Sequence, residues 1–225
     1  MKFALMMENS QAAKNPAVLK ELASVVAPQG DVVFNVGMCD ENDHQLTYIH
    51  LGIMASLLLN SQAVDFVVAG CATGQSAMMS LNAHPGVICG YCLEPSDAYV
   101  FNQINSGNAL SIAFDKGYGA ELNLRYIFEK AFTTGKRDQD DSLEFLLQKQ
   151  SDAELLNEIK DAISKDCYLE ILNSIDQSLV KTAISGERFK SCFLENCQVP
   201  ELAEYLTPLF DQNLLSSDVL TAHFN

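Results

Sequence analysis

Apolar residues over the first 132 positions fall into short, nearly unbroken runs that alternate with stretches of helical spacing. Residues 3–7, 32–36, 66–68, 87–91 and 110–114 form the runs, as strands buried on both faces of a parallel sheet do. Asn15-Pro16 marks a helix start, and Val18, Leu19, Leu22, Val25 and Val26 follow at intervals of three and four. Further helices are expected at 48–59, 74–83, 96–104 and 121–132, with Gly30 and Gly70 as breaks. Five strand–helix alternations predict a doubly wound α/β domain: a five-stranded parallel sheet with helices on both faces. Ligands of such sheets bind beyond the carboxyl ends of the strands. The residues to watch are therefore 8–10, 37–39, 70–75, 93–96 and 115–119.

The pattern changes near Thr133. From Ser142 onward Leu143, Leu146, Leu147, Leu155, Leu156, Ile159, Ile163, Leu169, Leu172 and Ile175 recur at helical intervals with acids between them. The division expected is an α/β domain over 1–135 and a helical C-terminal extension over 136–225. The extension should pack on the domain or on a second subunit.

Composition narrows the function. The net charge of -15 repels phosphate backbones and anionic lipid heads, which argues against nucleic-acid and membrane partners. The seven cysteines show no repeated spacing and so no disulfide framework. The apolar start, residues 3–7, is shorter than a signal-peptide core, and 48–59 is interrupted by His50 and Gly52. A cytoplasmic location with free thiols is expected.

The segment Gly70-Cys71-Ala72-Thr73-Gly74-Gln75 carries the chemistry. Small residues after a strand let a ligand approach the backbone, and Thr73 can cap the helix that follows. N–H groups at a helix start favour negative charge, and a thiol placed there gains thiolate character. Such a thiolate can take the proton beside a sugar carbonyl while the N–H groups hold the enediolate oxygen. The plain alternative is a packing turn with a buried cysteine.

Residues 67–110 resemble the RpiB/LacA/LacB family of sugar-phosphate isomerases. That family carries a Cys-Gly-Thr-Gly turn, a helix ending Ala-Asn-Lys, a strand starting Gly-Ile-Arg and a His-Asn-Asp-x-Asn segment. Cys71-Ala72-Thr73-Gly74, Asn82, Gly86-Val87 and Ile104-Asn105-Ser106-Gly107-Asn108 stand in these places, with no gap from Cys71 to Asn108. The likeness extends over about the first 135 residues. It implies a Rossmann-like fold, no metal or other cofactor, and a homodimer with sites near the subunit interface. It implies a small-molecule sugar or sugar phosphate as substrate, with aldose–ketose isomerisation by Cys71 and Thr73. Glu8, Asn9, Tyr48, Gly70, Ala72, Gly74, Asn105, Asn108 and Arg137 would bind substrate.

The departures point to the substrate. The family's Asp-His pair after the first strand is Glu8-Asn9, its ring-opening histidine is Ile104, and its strand arginine is Ile88. Arg125, Lys136 and Arg137 are the remaining candidates for an anionic group. An open-chain substrate, or one with a carboxylate in place of phosphate, fits these changes. Some relatives with a helical extension resemble isomerases of the unphosphorylated 4-deoxy-5-hexosulose uronate. A sugar-binding homologue without turnover is the reading from another class.

Other signals weigh less. Cys89-x-x-Cys92 lies in an expected strand, where residues three apart face opposite sides, so metal binding is not expected there. Gly117-Tyr118-Gly119 lacks nucleotide-binding spacing. Met78 and Met79 read as core, His50 as a satisfied helix histidine, and 138–141 as a solvated acidic loop.

Overall fold

The computed structural model describes residues 1–105, 107–116, 121–133, 143–163 and 168–220. Five strands, β1 (Lys2–Met6), β2 (Val32–Asn35), β3 (Phe66–Cys71), β4 (Cys89–Cys92) and β5 (Ala109–Ala113), form one parallel sheet in the order β2-β1-β3-β5-β4. The chain leaves β1 in one direction to β2 and returns on its other side to β3. The switch point therefore lies between β1 and β3.

The helices are α1 (Asn15–Val26), α2 (Tyr48–Asn60), α3 (Gln75–Asn82), α4 (Pro95–Ile104) and α5 (Leu122–Phe132). Strand side chains alternate between two cores. Phe3, Leu5, Met7, Phe66, Val68, Leu110 and Ile112 face α1, α4 and α5, while Ala4, Met6, Val67, Ala69 and Cys71 face α2 and α3. Glu21, buried on α1, ties this helix to α5 by accepting from Arg125 Nε at 2.7 Å.

Two strand ends differ from the sequence expectation. β3 runs three residues further, through Ala69, Gly70 and Cys71, because these pair with Ser111, Ile112 and Ala113. The small residues that suggest a turn are needed by the ladder itself: a Cβ on Gly70 would lie 2.2 Å from the Ile112 carbonyl oxygen. β4 starts later, at Cys89, since the Asn82 side chain bonds both the N–H and the carbonyl of that residue. Cys89 belongs to one core and Cys92 to the other, and burial pushes both thiols up to about 12. They cannot share a metal ion.

Beyond residue 142 the chain is helical among the described residues: α6 (Leu143–Ile163), α7 (Tyr168–Ser174), α8 (Gln177–Ala183), α9 (Glu187–Asn196) and α10 (Pro200–Leu220). Leu172, Val180, Ala183, Phe189, Phe193, Leu202, Leu206 and Phe210 are buried. All of these except Val180 join the core that contains α2 and α3. This layer explains α2, whose residues from His50 to Leu58 are all buried. A helix apolar on every side needs cover on every side. The sheet supplies one cover and the C-terminal helices the other.

Arg188 on α9 fastens that layer to the end of β2. Its guanidinium donates to the carbonyls of Asn35 and Gly37, each at 3.0 Å, and pairs with Asp43. Burial alone would push the Asp43 carboxyl up. Hydrogen bonds from His44, the Cys39 N–H and Arg188 outweigh it and hold the group well below the usual carboxylate range. A carboxyl depressed by folding stabilises the fold above its unfolded value and loses that contribution as pH falls. Asp43→Asn should therefore melt lower than wild type at pH 7, by about 1–2 kcal/mol of stability. The gap should begin to narrow as pH drops below about 4 and close only well below about pH 3. Thermal melts of both proteins from pH 7 to pH 3 check this, and a gap independent of pH would contradict it.

No described helix is long and apolar enough to cross a membrane.

Candidate active site

The carboxyl ends of β1, β3 and β5 meet at the centre of the sheet. Cys71 pairs with Ala113, so β3 and β5 end together, and Met6 pairs with Ala69, so the chain two residues beyond β1, at Glu8, is level with Cys71. Neighbouring strands are ~4.8 Å apart, which sets the Glu8 end of β1 beside Cys71. Cys71 is 7% exposed and lies on the α2–α3 side of the sheet. Its carbonyl accepts from the Phe114 N–H at 3.0 Å, and the Ala72 carbonyl accepts from the Asp115 N–H at 2.9 Å. These two bonds fix the turn against β5.

Gly74 caps α3 with φ +74°, a conformation that favours glycine. A Cβ there would also meet the Tyr91 ring at 2.9 Å. Its carbonyl accepts from the buried Ser111 hydroxyl at 2.7 Å. The expected cap, Thr73, plays a smaller part: it is exposed, and its hydroxyl accepts from the Gln75 N–H at a long 3.4 Å. Among the described residues no group accepts from the N–H groups of Ala72, Thr73 and Gly74. A small oxyanion facing this turn would find donors that the fold does not use.

Glu8 and Asn9 diverge. Glu8 is 4% exposed, and its carboxylate accepts from the Ser10 N–H at 3.2 Å and from the Ser10 hydroxyl. Asn9 is exposed, and its N–H donates to the Leu46 carbonyl at 2.8 Å, joining the end of β1 to the β2–α2 loop. Tyr48 opens α2 on the rim of the domain and is 42% exposed. The neighbouring Ile49 carbonyl accepts from Ser80 in the last turn of α3, ~8 Å along that helix from its start. His50, expected to be a satisfied helix histidine, is buried and accepts from the Thr47 N–H at 2.9 Å through Nδ1. Burial, aided by His44, lowers its pKa and keeps the ring neutral for that role.

Asn105 and Asn108 are not brought to this end of the sheet. They precede β5, ~16 Å of strand away from Ala113. Asn108 is also committed to the backbone: Oδ1 accepts from the Ile88 N–H and Nδ2 donates to the Gly86 carbonyl, both at 2.8 Å. Its part in this chain is to join β4 and β5. Asn105 ends α4 and is exposed. Arg137, like Lys136 and the 117–119 segment, lies outside the described residues. Arg125 is on α5, engaged with Glu21.

Sequence reasoning missed a polar chain beside the turn. Lys14 donates to the Phe114 carbonyl at 2.8 Å and to Asp115 at 2.5 Å. The Lys14 bond and charge hold the Asp115 carboxyl below its usual range. Gln11 donates to Asp115 at 3.2 Å and to Ser10 at 3.4 Å. These residues belong to a 3-10 turn, Asn9–Lys14, inserted before α1. The signal was the polar spacing of Ser10, Gln11 and Lys14 within the strand-to-helix connection. Arg188 gave no local signal.

Comparison with known proteins agrees with this geometry. The family model described as Ribose/Galactose Isomerase matches residues 4–142, and a second, described as Ribose-5-phosphate isomerase, matches residues 162–209. A search of curated proteins finds no match. Among solved structures, the ribose-5-phosphate isomerase from Vibrio parahaemolyticus is 64% identical, with a TM-score of 0.88 over 93% of this chain and 99% of that one. A 4-deoxy-L-threo-5-hexosulose-uronate ketol-isomerase complexed with a tartrate is 46% identical, with a TM-score of 0.87 over 94% and 100%. The type B ribose 5-phosphate isomerase of Leishmania infantum shares the fold at 15% identity, with a TM-score of 0.59 over 72% and 97%. With a family model across residues 4–142 and two solved relatives above 40% identity along nearly the whole chain, this protein belongs to the Ribose/Galactose Isomerase family of sugar aldose–ketose isomerases.

Proposed function

We propose that the protein interconverts the aldose and ketose forms of an acidic, open-chain sugar, with Cys71 as the base that moves the proton between adjacent carbons. The observation that carries the reading is the buried Cys71 thiol on a small-residue turn with unused N–H groups, at the switch point of a parallel sheet. The thiolate removes the proton from the carbon beside the carbonyl. The N–H groups of Ala72 to Gly74 hold the enediolate oxygen, Thr73 assists the transfer of the hydroxyl proton between the two oxygens, and the thiol delivers a proton, in part exchanged with solvent, to the neighbouring carbon. Neither a metal nor a cofactor enters this sequence of steps. Residues 1–135 carry the chemistry, and 136–225 buttress it. The cysteines among the described residues are free, which fits a reducing cytoplasm.

Two substrate classes meet these terms. The unphosphorylated 4-deoxy-5-hexosulose uronate is favoured by Ile104 and Asn9, which stand where the family places the ring-opening and phosphate-holding histidines. Glu8, a buried carboxyl group beside the turn, also suits a phosphate dianion poorly. A sugar phosphate, ribose 5-phosphate or galactose 6-phosphate, is favoured by the name of the 64% identical relative. Lys14, Lys116 and Arg188 on this edge of the sheet can attract either anion. Asn105 lies at the far end of the strands, so it could reach a Cys71 turn only in a second copy; a homodimer with shared sites is part of the proposal.

Purified protein assayed on the three sugars should convert the uronate at least 100-fold more efficiently than either phosphate. The reverse order would assign the phosphate reading. No turnover on any of the three, with sugar binding retained, would leave a binding protein instead.

A further inference from the structure

We propose that Gln11 is a substrate-binding residue, its buried carbonyl oxygen accepting a hydrogen bond from a hydroxyl of the sugar. This rests on the isomerase reading and adds a specificity determinant to it.

Gln11 is 5% exposed. Its Nε2 donates to Asp115 Oδ2 at 3.2 Å and to Ser10 Oγ at 3.4 Å. The orientation of the amide follows from chemistry. Asp115 is held ionised by Lys14, and a carboxylate has only acceptors, so the nitrogen must face it. The oxygen Oε1 then points the other way, buried and without any hydrogen-bond partner. Native folds rarely leave a buried acceptor unpaired, and such a group in a cleft marks the place of something that binds.

Its position says what binds. Gln11 bonds Asp115, and the Asp115 N–H bonds the Ala72 carbonyl at 2.9 Å, one residue from Cys71. The orphan oxygen thus belongs to the edge of the turn that would hold the reacting carbons. A carbonyl oxygen repels phosphate or carboxylate oxygens and attracts O–H. It therefore faces the hydroxylated stretch of the sugar and turns the anionic end elsewhere.

The test is Gln11→Met, which keeps the length of the side chain and removes the acceptor. KM for the sugar that wild type converts should rise 10- to 100-fold with kcat within threefold, the mark of lost uniform binding. The variant should melt no lower than wild type, since it no longer buries an unpaired oxygen and Asp115 keeps Lys14. One deoxy analogue of that sugar should show the raised KM on wild type, with little further rise on the variant. An unchanged KM would overturn the assignment. So would a lower melting point with kcat and kcat/KM impaired together, because that is the behaviour of a structural amide. If wild type converts none of the three sugars, the isomerase reading fails and takes this assignment with it. If wild type is active and the variant keeps its KM, only the assignment fails.

Discussion

Cys71→Ala should lose about 10²–10⁴-fold in kcat, the range that a positioned acid–base group contributes. The loss should fall on kcat more than on KM, because the thiol acts on a proton that moves only in the transition state. Cys71→Ser should be nearly as impaired, since a hydroxyl gives up its proton far less readily than a thiol and cannot stand as a base near neutral pH. Solvent-deuterium exchange separates chemistry from folding. Wild type in D₂O should place deuterium on the carbon beside the carbonyl, followed by NMR, and Cys71→Ala should not. The side chain is 7% exposed, in the core that also holds Ala69 and Ala77, and removing one sulfur should lower stability by only about 1 kcal/mol. A Cys71→Ala protein that melts normally and still exchanges deuterium at the wild-type rate would remove Cys71 from the mechanism.

Gly70→Ala should be the most damaging single methyl in the chain's central strands. The added Cβ would lie 2.2 Å from the Ile112 carbonyl oxygen and 2.6 Å from the Phe114 ring. The first of these is backbone of the adjoining strand, which cannot rotate away, so β3 and β5 must part. A loss of about 3 kcal/mol or more in urea unfolding is expected, at the upper end of overpacking effects. Gly30→Ala is the natural comparison. Gly30 has φ +83° with nothing within 4 Å of an added Cβ. Only conformational strain is felt there, about 1–2 kcal/mol. Equal costs at the two sites would mean that β3 and β5 are not packed as closely as their register requires. Since Cys71 follows Gly70 directly, any Gly70→Ala protein that folds should also lose turnover.

Most of the sheet was legible because a parallel strand buried on both faces must be apolar throughout, and the run at 3–7 meets that condition without help from context, while 32–36, which forms a partly exposed edge strand, does so except at Asn35. What local pattern could not convey was pairing. Gly70 and Cys71 read as a turn since small residues serve turns and crowded ladders alike; only Ile112 on another strand distinguishes the two. Asn105 and Asn108 fell near Cys71 in motif order but lie at the opposite end of the strands, because β5 intervenes. The cysteine at 71 was visible through its small neighbours. Gln11 was not, since its significance depends on Asp115, 104 residues away. Arg188 depends on carbonyls about 150 residues away. The continuous apolar character of α2 did carry a long-range message, that a further layer must exist, and the C-terminal helices are that layer.

The sandwiching of α2 has a consequence for how the chain is made. α2 (Tyr48–Asn60) is finished early in synthesis, while its outer cover begins only at α7 (Tyr168–Ser174) and continues through α8 and α9. At ~5–20 residues per second, the roughly 110 residues between them take about 5–22 s to emerge. Throughout that interval the nascent α/β half presents one whole side of an apolar helix to the cell. An apolar face left bare in this way is the kind of surface through which incompletely folded chains aggregate, so the C-terminal helices protect the chain as well as complete it.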